Sequence, residues 1–366
     1  MEETQTNVRL YAFEKLRELA ANILLKAGFT PEDARVGSNV LLAADLRGID
    51  SHGVARIPGY LRLLEAGRAN ATPDIKIVHE TPGTGVVDGD KGLGLLSGPY
   101  AMKLAMEKAG NVGTGWVAVR NSNHFGIAAY HAMMALEEDM IGVAMTNASP
   151  IVSPTFSKSR LLGTNPICFA IPAGKQPPFV MDMATTTAAN GKLEILQRKN
   201  EKAPLGWMQD KEGRPTDDPC IISKGGALLP LGGDRIHGSH KGYGLGAVVD
   251  ILSGVLSGAN YGPWVPPFVA FLNPLDNLVG EGIGHFFGAI RVDAFRSADE
   301  FKKHMDNWIT TFRKADTIPG EKEVLIPGDP ERITEEKRRK NGIPLLDPVV
   351  ENLKKIANDF DIPFSF

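Results

Sequence analysis

Two hydrophobic periods divide this 366-residue chain, and the switch between them constrains its fold more than any other feature. Up to residue 67 the apolar positions recur at helical spacing: Phe13, Leu16, Leu19, Ala20, Ile23, Leu24 and Ala27 predict one helix. Gly28 ends it, and Thr30 with Pro31 opens a second, through Val36, Val40, Leu41 and Ala44. A third helix is expected over 54–66, stopping at Gly67. From Ile75 the period falls to two. IKIVHE and GTGVVDGD predict strands joined at Thr81-Pro82-Gly83, and further strands are expected at 115–120, 141–148, 161–173, 178–183 and 284–293. A helix is expected to begin at Pro99, and another to carry the three threonines after Asp182. Helices return over 298–315 and 348–359, with the charge run from Glu335 to Lys340 read as a solvated helix face. Strands that follow one another without helices between them, enclosed by helical ends, describe an α+β chain rather than steady βαβ alternation.

Composition narrows the function classes. With 43% hydrophobic and 23% charged residues, the chain can bury a large core. A net charge of −3 provides no field for nucleic acid or an anionic membrane. The apolar run 242–262 is rich in glycine and carries Asp250, which fits a packed helix rather than a membrane span. Two cysteines cannot build a disulfide framework, and the acidic start MEETQTNVRLY is unlike a signal peptide. The expectation is a cytoplasmic protein with no membrane and no nucleic-acid partner.

The stretch LRGIDSHGVARIPGY concentrates reactive side chains: Ser51, His52, Arg56 and Tyr60. If helical, it sets Arg56 and Tyr60 four apart on one face, able to hold an anion and move a proton. A solvated helix start capped by Ser51 would use the same residues. A second candidate, His124, sits in NSNHFG between a predicted strand and a helix, with Asn121 and Asn123 beside it. A lone histidine there would simply be hydrogen-bonded; a second imidazole and an arginine elsewhere give it weight. Asp182, ending FVMDM, is expected to cap the following helix, or else to orient an imidazole.

A dinucleotide fingerprint requires a glycine-rich turn between a buried strand and a helix. The nearest match, Gly242-Tyr243-Gly244-Leu245-Gly246, follows RIHGSHK, too polar for that strand. A Rossmann fold is therefore not expected, although Lys241 and free amides at the same helix start could hold phosphate. His237 with His240, and His124 with His131, lack a third ligand, so no metal is expected. Adjacent Ser51 and His52 diverge and do not form a nucleophile–base pair.

RGIDSHGVARIPGY, NSNHFGIAAYH, LLGTNPICFAIP, VMDMATT, HKGYGLGAVVDILSGVLSGA and IPGDPE stand in the order found in the malate/L-lactate dehydrogenase family of the second type, which the chain resembles up to about Pro330. That family includes enzymes acting on malate, sulfolactate, ureidoglycolate, diketogulonate and cyclic imino acids. The resemblance implies a non-Rossmann nicotinamide-binding α+β fold with a largely antiparallel central sheet. It implies a helical domain from residues 1–75 with 330–366, a strand-rich cofactor- and substrate-binding region over 76–329, and a homodimer. Its motifs place catalytic roles on Ser51, His52, Arg56, Tyr60 and His124. Substrate contacts fall on Arg56, Thr164 and Asn165. Cofactor contacts fall on His124, Asp182, Met183, Ala184, Thr185, His240, Lys241, Gly242, Gly328 and Asp329, where some members carry Glu in place of Asp329.

The reaction expected from this resemblance is hydride transfer between NAD or NADP and C2 of a small 2-oxo/2-hydroxy acid, with malate/oxaloacetate favoured. Arg56 would clamp the carboxylate bidentately, and an imidazole would serve the alkoxide, His52 first and His124 second, or the two sharing the role. The alternatives are reduction of a cyclic C=N bond on the same scaffold and a binding protein without turnover.

Overall fold

The computed structural model describes residues 8–268 and 275–364. The chain enters through β1 (Val8–Tyr11) and folds into α1 (Phe13–Lys26), α2 (Pro31–Leu46) and α3 (Ile57–Glu65). Thr30 caps α2: its Oγ1 accepts the Asp33 N–H at 3.1 Å and donates to Asp33 Oδ2 at 2.7 Å. A cap of this kind stabilises a helix by about 1 kcal/mol. Next come β2 (Lys76–Glu80), β3 (Thr84–Asp88), α4 (Gly94–Val112), β4 (Thr114–Ser122), α5 (Ala128–Met133), β5 (Met140–Thr146), β6 (Ile167–Ile171), β7 (Phe179–Met183) and α6 (Asn190–Lys199). The two-residue strands β8 (Met208–Gln209), β9 (Pro215–Thr216) and β10 (Ala227–Leu228) form a small sheet. Then α7 (Ser239–Asp250) runs into a π-helical turn (Ile251–Val255), followed by β11 (Ile283–Arg291), α8 (Ala298–Arg313), α9 (Asp329–Asn341), β12 (Ile343–Leu346) and α10 (Asp347–Asp359).

The central sheet has seven strands in the order β2-β3-β4-β11-β5-β6-β7. β3 and β4 run parallel, joined by α4; the other neighbours are antiparallel. This is the largely antiparallel, non-Rossmann α+β sheet expected. One face packs on α4 and α5 through Val117, Val119, Ala144, Phe287 and Ala105. The other meets α7, where Val249 joins Ala118, Val143, Met145 and Phe286. A separate helical core combines Leu16, Ile23, Leu24, Leu41 and Tyr60 with Ile343, Leu345, Val350 and Leu353, so both ends of the chain share one apolar interior.

Three expectations fail and one pair of strands goes unforeseen, each through a tertiary contact or a local end effect. α4 starts at Gly94 and carries Pro99 in its second turn, where the helix gives up one i→i−4 hydrogen bond. The three threonines precede α6 rather than sit in it: Thr185, Thr186 and Thr187 turn their hydroxyls onto backbone carbonyls of Asn165, Ala188 and Trp207. β1 and β12, too short to register as strands, pair antiparallel because the two ends of the chain meet. Finally, the charge run of α9 is not wholly solvated. Arg338 is mostly buried and binds the carboxylate of Asp50 and the carbonyl of Asp45.

Candidate active site

Gly48, with φ of +83°, closes α2 and throws the chain into two successive 3-10 turns, Asp50–His52 and Val54–Arg56. The helix expected over 54–66 is present, but its first turn is 3-10, and a second 3-10 turn precedes it. Gly53 lies between the turns because any Cβ there would overlap the carboxylate of Asp45. That carboxylate accepts the Val54 N–H at 2.8 Å and ties the turns to α2.

The turns and α3 bring their polar groups to His124, which follows the end of β4. The Tyr60 hydroxyl lies 2.7 Å from His124 Nδ1. The rings of His52 and His124 stack with centroids 5.4 Å apart and 27° between planes. Ser51 and His52 do not diverge as expected: their 3-10 turn brings Ser51 Oγ to 2.8 Å from His52 Nδ1. Arg56 donates from Nε to the Ser51 carbonyl. Five expected residues, Ser51, His52, Arg56, Tyr60 and His124, therefore converge in space. Phe268 completes the group: its ring is 4.9 Å from His124, edge-on to Tyr60 at 5.4 Å, and lies 5.7 Å beneath the Arg56 guanidinium. No spacing in the sequence linked Phe268 to this group.

The protonation pattern follows from the partners. Nδ1 of His124 accepts the Gly126 N–H at 3.3 Å, and a backbone amide can only donate. The neutral ring must then carry its proton on Nε2, and Tyr60 donates its hydroxyl to Nδ1. Burial, then the neighbouring His52, Arg56 and His285, holds His124 well below the usual histidine range. Burial, followed by the Arg56 cation, brings His52 down to about 4. Burial also raises the Tyr60 phenol, keeping it a donor.

The loop that carries His124 is braced on every side. Asn123 gives its amide to the Lys91 carbonyl at 2.8 Å, and Asn121, which belongs to β4 rather than the loop, gives its own to Asp88. Behind the loop, His285 bridges Thr146 (2.7 Å) and Ser122 (2.9 Å). Asp182 caps neither α6 nor an imidazole; it accepts the Ala129 N–H at 2.8 Å, at the start of α5. Burial raises its carboxyl to about 6.

The remaining expected residues fall into two groups. Asp182 and Gly328 line a cavity of about 270 Å³ with Arg47, Ile49 and Ala129. Arg47 is buried there with its Nε lacking a partner among the described residues, a donor that a polar ligand in this cavity could satisfy. Asp329 lies alongside, but its carboxylate is committed to Arg313 (2.7 and 2.9 Å), Arg332 and the Ile326 N–H. Met183 and Ala184 lead away from Asp182, both half-buried.

The second group frames the start of α7. Thr164 accepts the Thr185 N–H through its carbonyl, and Asn165 spends its amide on the Ala148 N–H and the Gly246 carbonyl, fully buried. Gly242 packs against the Leu231 backbone, while His240, bonded to Arg235, and Lys241 are exposed. His237 pairs with Asp234. Among the described residues no cluster of three or more His, Cys, Asp or Glu could hold a metal ion.

Residues 11–354 match the family model described as malate/L-lactate dehydrogenase. The chain is 44% identical over 345 residues to a malate dehydrogenase of Pyrococcus abyssi, covering 94% of this chain and 93% of that one. It is 40% identical to an L-sulfolactate dehydrogenase of Methanocaldococcus jannaschii, with 95% and 96% covered. The crystal structure of malate dehydrogenase from Entamoeba histolytica superposes with a TM-score of 0.92 at 36% identity, covering 98% of this chain and all of that one.

Proposed function

The chain belongs to the malate/L-lactate dehydrogenase family, and on that premise we propose that it interconverts a 2-oxo acid and its 2-hydroxy acid, malate/oxaloacetate first, using NAD or NADP. The observation that carries this reading is the convergence of a guanidinium and two stacked imidazoles on one spot, with Tyr60 bonded to one of them.

Arg56 is the carboxylate clamp, its cation held over Phe268 and its Nε anchored to the Ser51 carbonyl. His124 keeps its Nε2 proton and uses it as a neutral hydrogen-bond donor to the substrate oxygen. Protonating Nδ1 would turn an acceptor into a second donor facing the Gly126 amide, so this ring does not change charge. His52 is the proton carrier. Its pKa is lowered by burial and by Arg56, and a substrate carboxylate that neutralises Arg56 relieves the second cause. The acid thus readies its own proton donor by binding. Ser51 sets the orientation of the His52 ring through Nδ1.

The cavity beside Asp182, Gly328 and Arg47, with the exposed Lys241 at the start of α7, suits a nicotinamide dinucleotide. When bound, that cofactor supplies or accepts the hydride at C2. A homodimer accounts for the exposed apolar side chains Tyr243, Leu245, Val248, Ile251, Val255 and Leu256, which are 38% to 58% accessible along α7 and its π-helical extension. No helix among the described residues is long and apolar enough to cross a membrane. Two free cysteines support a reducing, cytoplasmic setting.

The test is oxidation of NADH and NADPH with oxaloacetate, other 2-oxo acids and a cyclic imino acid, followed by absorbance. Turnover of oxaloacetate, with loss in His52→Ala, is expected. Preference for the cyclic imine would shift the substrate class, and no turnover of any compound would refute the dehydrogenase reading.

A further inference from the structure

Asp45 is 1% exposed, and no salt bridge to it is formed among the described residues. Oδ2 takes the Val54 N–H, and Oδ1 has no partner among the described residues. The carboxyl presses on the Cα of Gly53, midway between the two turns that carry His52 and Arg56. Its own helix α2 supplies the backbone below. From the turns, Asp50 and Arg56 face it; from α9, Arg338 reaches the Asp45 carbonyl but sends its charge to the Asp50 carboxylate. From α6, Glu194 closes the same small cavity of about 160 Å³, and β12 and α10 contribute only apolar side chains, Leu345, Leu346 and Val349.

An ionised carboxylate in this position would have one oxygen without a donor, with Asp50 and Glu194 nearby. A neutral carboxyl keeps its acceptor for Val54 and avoids the larger cost of a buried, unpaired charge. We propose that Asp45 is the positioning residue of the catalytic double turn, and that it holds the turn in its neutral form. Ionisation would place a charge against Gly53 and displace His52 and Arg56 together. Burial, with the Asp50 charge adding to it, raises the carboxyl to about 8, while the Val54 amide and Arg338 oppose the rise. Being raised, this group favours the folded state below its unfolded value, and that advantage is lost as pH climbs through about 8.

This inference rests on the dehydrogenase reading for its kinetic arm only. The experiment compares Asp45→Asn and Asp45→Ala with the parent chain, measuring kcat for malate oxidation and the melting temperature between pH 6 and 10. Asparagine keeps the acceptor for Val54 and cannot ionise, so near-parent kcat at neutral pH is expected, with the alkaline decline moved up by about one pH unit or more. Alanine abandons the amide and should lower kcat about tenfold, with the cofactor KM unchanged. In melting, the parent should lose stability relative to Asp45→Asn as pH rises from 6 to about 8, and the difference should level off above that. An unaltered alkaline limb in Asp45→Asn, parent-like kcat in Asp45→Ala, or an Asp45→Asn chain that does not fold would each overturn the proposal. If the parent turns over no acid, the dehydrogenase reading fails by itself, and the melting comparison decides the state of Asp45.

Discussion

Replacing Arg56 by glutamine separates two jobs that one side chain performs. The guanidinium clamps a carboxylate, and it is the second cause, after burial, of the fall in the His52 pKa from 6.5 to about 4. In the oxidation direction His52 must be neutral to take the hydroxyl proton, so kcat/KM declines as pH drops through the pKa of the free enzyme. Burial is the larger cause, so the cation accounts for less than half of the fall. Its removal should therefore raise the limb to no more than about 5. At pH 5 the parent would retain about nine-tenths of its plateau and Arg56→Gln less than that, down to about half.

KM for the acid should rise in the same variant by about tenfold to a hundredfold, the loss of a hydrogen bond between charged groups. Arg56→Lys keeps the positive charge but not the bidentate fork, so its KM should rise while its limb stays with the parent. The assay is initial-rate absorbance with malate from pH 4.5 to 8, on enzyme checked for folding at each pH. A limb in Arg56→Gln that stays in place, or moves to lower pH, would refute the electrostatic link between Arg56 and His52.

Other outcomes follow from the same geometry. Tyr60→Phe keeps the ring in its buried, edge-on contact with Phe268 and deletes only the hydroxyl at 2.7 Å from His124. It should cost about threefold to tenfold in kcat, with little change in melting temperature. His131 and His285 are completely buried and pushed down by burial to about 4 and about 3. Because folding excludes their protons, the stability tied to them is intact above about pH 6.5 and drains away as pH falls through these values. Denaturant midpoints between pH 7 and 4 should show this loss, and His285→Gln should reduce it. Asp329→Ala leaves Arg313 without the carboxylate it grips at 2.7 and 2.9 Å, and should destabilise the fold by about 3 kcal/mol, read by urea denaturation.

Local patterns made much of the molecule legible. The Thr30 cap and Pro31 placed α2, the Thr81-Pro82-Gly83 turn placed the β2–β3 hairpin, and the polar run before Gly242 ruled out a Rossmann turn. Each depends on residues a few positions apart, whose geometry is set by backbone sterics and neighbouring hydrogen bonds. Ser51, His52, Arg56, Tyr60 and His124 could likewise be chosen by type and motif.

What the sequence could not decide is who meets whom. Asp182 stands next to last in β7 and would cap α6 by proximity, yet the register of β6 and β7 presents it to α5. Arg338 lies in a charge run that looks solvated, but α9 docks on the catalytic turn and spends it on Asp50. Phe268 and Asp45 carry no sequence signal because one acts through a ring contact across the fold and the other by packing on Gly53. The meeting of His52 with His124 is of this kind: α2 delivers one and β4 the other, and only the docking of the helical core on the sheet stacks their rings. By itself the sequence determined which groups were available and which local turns would carry them. The tertiary structure decided which proton each could hold, because burial and the nearest charge are properties of neighbours that the chain brings from far away.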